Sequence, residues 1–67
     1  MEQLLKAYYE AQLAKYSKRM DARGALIAAK FALDDMAGVV RRNLAIYGNE
    51  AAALAILSME IEDACAA

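Results

Sequence analysis

Apolar residues recur along this chain at helical spacing, and on more than one face. With each residue advancing about 100° around an α-helix, Leu5, Tyr9, Leu13, Tyr16 and Met20 fall on one stripe. Ile27 and Phe31 would extend it if the helix never broke. Leu26, Ala29, Leu33, Met36, Val40, Leu44 and Tyr47 form a second stripe, rotated by roughly 140° from the first. The stripes overlap between 26 and 33, where Ala25 to Leu33 is apolar on every side except at Lys30. A helix reads that way when it is covered from two directions. Further on, Leu54, Leu57, Ile61 and Cys65 share a stripe, with Ile56 and Met59 on the far side.

Local signals divide these stripes into elements. In Tyr47, Gly48, Asn49 and Glu50 the glycine suits the left-handed position that ends a helix, the asparagine suits a cap, and the glutamate suits a first turn. A weaker break lies at Asp21, which can cap a helix starting at Ala22 after Lys18 and Arg19 close the previous one. Helices are predicted at about 3–19, 22–47 and 50–66 in a single all-α domain spanning 1–67. The first boundary is the softer one, and residues 3–47 as one rod is the alternative. The architecture expected is a helical hairpin or three-helix bundle built on a long central helix. At 1.5 Å per residue that helix is about 39 Å long, more than either flanking helix can shield. Its uncovered length is the expected dimer seam: Leu26, Ala29, Leu33, Met36, Val40, Leu44 and Tyr47.

Composition strengthens the case for a partner. A chain of 67 residues builds a core worth only about 3 to 5 kcal/mol unless disulfides, metal or self-association add to it. Cys65 is the only cysteine and histidine is absent, which removes an internal disulfide and makes a protein-only zinc site improbable. Association remains. Alanine is abundant and proline absent, so helix propensity is high almost throughout. Small residues on the central helix (Ala25, Ala28, Ala29, Ala32, Ala37, Gly38) suit close helix approach, either across a dimer or inside one subunit. Asn43, beside the apolar seam, is a candidate register-setting polar residue.

Other classes of protein fit poorly. The longest uncharged run, Ala51 to Met59, is far short of the roughly 20 residues a membrane span needs, and Glu2 and Glu10 spoil a signal peptide. A lone cysteine and no targeting signal fit a reducing cytoplasm. No catalytic site, metal or cofactor is implied: Asp34 and Asp35 are adjacent and diverge around the helix, no serine or cysteine has a base beside it, and no glycine-rich loop cradles a phosphate.

Candidate contact residues are of three kinds. Tyr8 and Tyr9 point about 100° apart, so one neighbouring helix cannot bury both. Either one faces outward as a binding anchor or the second covers the end of the third helix. Glu60, Glu62 and Asp63 stand at a helix C-terminus, where the macrodipole prefers cations. Lys15, Lys18, Arg19 and Arg23 can compensate them, a basic partner surface can, or the charges are simply solvated. With Ile56 and Met59 they make up the expected partner-binding set. Lys15, Lys18, Arg19, Arg41 and Arg42 would instead serve an RNA- or DNA-binding hairpin dimer, a weaker expectation at a net charge of −1. The function expected is a homodimeric, non-enzymatic regulator or inhibitor of a host or cellular protein. Read as complete from Met1, the chain is in general character like the accessory proteins encoded by phages and plasmids, and no motif ties it to a family.

Overall fold

The computed structural model describes residues 2–66 and consists there of three helices, α1 (Glu2–Ser17), α2 (Ala22–Tyr47) and α3 (Ala51–Ala66), with no strand among the described residues. Connections of four and three residues make sequence neighbours antiparallel. The molecule measures 39 × 20 × 15 Å. Its long dimension matches the length of α2, about 39 Å at 1.5 Å per residue.

The connections form for local reasons. After Ser17 the chain tightens, with the Arg19 and Met20 amides both donating to the Tyr16 carbonyl at 3.0 Å, so α1 ends two residues before the expected boundary. The Ser17 hydroxyl donates back to the Leu13 carbonyl at 2.7 Å, a bond that competes with helix continuation. Asp21 then adopts an extended backbone and accepts the Gly24 amide at 2.8 Å, capping α2. At the other end Gly48 has φ 70°, and its amide donates to the Leu44 carbonyl at 2.9 Å. The Asn49 side chain accepts the Ala51 amide at 2.9 Å and starts α3.

Tyr8 from α1, Met36 and Val40 from α2, and Ala53 and Leu57 from α3 form the core, flanked by Leu4, Leu5, Ala32, Leu33, Val39, Leu44, Ile56 and Ile61. α1 packs against both other helices, whereas α2 and α3 meet each other less. That sandwiching moves the buried line of α1. Its centre runs through Tyr8 and Gln12, while Leu5, Tyr9, Leu13 and Tyr16, the stripe read from the sequence, form a half-buried flank. A helix between two neighbours turns two apolar flanks toward them and buries the line in between. On α3 the buried line is Ala53, Leu57 and Ala64, and Cys65 is exposed.

Candidate functional site

The inner side of α2 is Ala25, Ala29, Met36 and Val40, all buried within the subunit. Of the seven residues expected at a dimer seam, Ala29, Met36 and Val40 therefore already have neighbours, and Leu33 and Leu44 are half-buried against the same core. A second copy could reach Ala29, Met36 and Val40 only by opening the bundle. Leu26 and Tyr47, at opposite ends of the stripe, are exposed. Asn43 is spent locally, its amide donating to the Val39 carbonyl at 2.9 Å.

The opposite side of α2 carries apolar residues in water. Ile27 is 51% exposed and Phe31 67%. With Lys30 and Asp34 they line an open hollow of about 270 Å³. The four lie at positions i, i+3, i+4 and i+7 of one helix, the spacing that forms the socket for a side chain from a facing helix. Farther along α2, Ile46 is 72% exposed. The sequence carries this face openly, since Ile27 and Phe31 extend the stripe of an unbroken helix, but the break at Asp21 turns them away from α1.

Among the expected partner-binding residues, Tyr8 needs correction. It is buried at the centre of the core, because α1 lies between two helices and its midline is not free. Its hydroxyl is hydrogen-bonded to the Gln12 side chain, also buried. Burial, with smaller contributions from the charges of Glu60, Tyr16 and Asp35, pushes the Tyr8 phenol up from its ordinary value, and the Gln12 bond opposes the rise. Tyr9 is half-buried. Ile56 packs against the core and Glu60 is half-buried, so neither belongs to an outer surface with its expected partners. Met59, Glu62 and Asp63 are exposed and share the outer side of α3 at positions i, i+3 and i+4.

The basic residues divide. Lys15 lies 5.6 Å from the centre of the Tyr16 ring, and Lys18, Arg19 and Arg23 are exposed at the α1–α2 turn. Arg41 and Arg42 are exposed farther down α2, Arg41 standing about 27 Å from Arg23 along the helix axis. The two groups do not form one phosphate-binding patch. Among the described residues no His, Cys, Asp and Glu cluster fit to hold a metal ion occurs, and no helix is long and apolar enough to cross a membrane.

No family model, curated protein or solved structure matches the chain.

Proposed function

We propose that this protein is a non-enzymatic interaction module that pairs with a second copy of itself and, as a pair, regulates or inhibits a partner protein by covering one of its surfaces. The observation that carries this reading is the apolar surface on the far side of α2. Four of the eight buried apolar residues among those described are alanines, yet the single phenylalanine of the chain, Phe31, is 67% exposed beside Ile27. Large rings left in water next to other apolar side chains mark places where another protein docks.

The second contact surface is the outer side of α3, where Met59 stands with Glu62 and Asp63. A flexible apolar anchor edged by carboxylates suits a hydrophobic pocket with a basic rim on the partner, the charges steering encounter and orientation. Neither surface is an enclosed cavity, since α2 offers an open hollow on one helix face and α3 an exposed helix side, a shape that favours contact with another protein over enclosing a small substrate.

The mass of the protein in solution tests self-pairing: a dimer is expected, and Phe31→Asp should halve its mass while leaving the helix content unchanged. A strictly monomeric wild-type chain at high concentration overturns the homodimer. Reversing the α3 charges with Glu62→Lys and Asp63→Lys should abolish partner capture without touching dimer mass. Capture that survives both this reversal and Met59→Asp removes α3 from the contact.

A further inference from the structure

Away from the core, α2 carries two blocks of opposite charge placed around a glycine. Along the helix come Ile27 and Phe31, then Asp34 and Asp35, then Gly38, then Arg41 and Arg42, then Ala45, with Ile46 at the margin. All four charged residues are exposed. At about 100° per residue this series lies on the side of α2 opposite Ala25, Ala29, Met36 and Val40. Within one chain Asp34 has Lys30 four residues before it, whereas Asp35, Arg41 and Arg42 have no opposite charge at the i, i+3 or i, i+4 spacings at which helical ion pairs form.

The series is complementary to its own reverse. A twofold axis through Gly38 sets Asp34 beside Arg41 of a second copy, Asp35 beside Arg42, and Phe31 beside Ile46. We propose that two copies pair antiparallel along this outer face of α2, crossing at Gly38. The proposal rests on the homodimeric reading above and gives it a seam, an orientation and a register. Each copy supplies both halves of every contact, as a twofold interface requires.

Three independent observations favour this arrangement. Charge fixes direction, because parallel pairing would stack Asp34 on Asp34 and Arg41 on Arg41, whereas the antiparallel register matches opposite signs four times over. Gly38 fixes the crossing point. A glycine inside a helix weakens it, and a Cβ built there would meet only the Arg42 guanidinium, at 3.5 Å, so packing within the subunit does not require the glycine. The lack of a side chain there would let a facing helix approach closely. The apolar residues fix the ends: Ala45 and Ile46 of the second copy fall over the hollow lined by Ile27, Lys30, Phe31 and Asp34, so Ile46 and Phe31 cover each other.

Charge exchange read by solution mass tests the seam. The pair Asp34→Arg and Asp35→Arg, and separately the pair Arg41→Asp and Arg42→Asp, should each weaken dimerisation by about tenfold or more through like-charge contact. An equimolar mixture of the two variants should associate as a heterodimer, and all four changes in one chain should restore the homodimer. Circular dichroism establishes that each variant keeps its helices; should one fail, Gly38→Leu blocks the crossing without altering charge and should also give monomer. A wild-type dimer indifferent to both reversals and to Gly38→Leu overturns this seam while leaving self-pairing intact. Loss of pairing in both reversals without recovery in the mixture overturns the antiparallel register. A monomeric wild type overturns the seam and the homodimer together.

Discussion

Tyr8 shows how a polar group is accommodated at the centre of so small a core. Its ring packs in the core shared by all three helices, and its hydroxyl is bonded to Gln12 one turn along the same helix. Burial raises its pKa above the ordinary phenol value of 10.0, so the native state holds the phenolic proton more tightly than the unfolded chain does. The sign follows from linkage: stability from this group is complete below about pH 10 and is lost as pH rises through the native pKa. In denaturant titrations from neutral to strongly alkaline pH, wild type should lose stability above that point more steeply than Tyr8→Phe. Parallel pH profiles would remove Tyr8 as the cause. Gly38 gives a second residue-scale expectation. Measured on dilute monomer, Gly38→Ala should raise stability by about 0.5 to 1 kcal/mol, because alanine is the better helix former and a Cβ has room. The same change should weaken pairing; a variant stabilised in both respects contradicts a close crossing there. The burial of Gln12 is not evident from hydropathy, which scores it as a surface residue.

Helix ends were readable from the sequence because their chemistry is local. Asp21, Gly48 and Asn49 act on amides and carbonyls within four residues of themselves, so their identities suffice to place the turns. Asp21→Ala should cost about 1 kcal/mol by leaving the Gly24 amide without its side-chain acceptor, measured by thermal or chemical unfolding. Gly48→Ala should cost about 1 to 2 kcal/mol, because a side chain is strained at φ 70° although nothing stands in its way. A cost near zero at both sites would mean that packing alone sets the helix ends. Helix faces were harder to read. The stripe on α2 was legible as a face, but what covers it depends on helices far away in sequence. On α1 and α3 the buried lines include Gln12, Ala53 and Ala64, whose polarity or small size gives them little weight beside Leu13 or Leu54. Small side chains sit there because neighbouring backbones come close, and no window of sequence contains the neighbour.

At the scale of the molecule, the decisive fact is how little the subunit buries. Among the described residues Tyr8, Met36, Val40 and Leu57 are the large side chains buried in its core, and of these Leu57 is fully enclosed. Cores of this size supply about 3 to 5 kcal/mol, while truncating an enclosed leucine to alanine costs about 2 to 5 kcal/mol. Leu57→Ala should therefore consume most of the stability of an isolated subunit. The proposed pairing would change that outcome, since anything that binds only the native state adds stability in proportion to the logarithm of its concentration. Over about a hundredfold range of protein concentration, the Tm of wild type should climb, and Leu57→Ala should pass from largely unfolded to largely folded. Under the proposed pairing, adding the Phe31→Asp change should flatten both responses, because Phe31 lies outside the core and its loss would remove association without removing packing. Melting temperatures independent of concentration in wild type, with Leu57→Ala unfolded throughout, would mean that the subunit stands on its own core and that the exposed face of α2 contributes nothing to its stability.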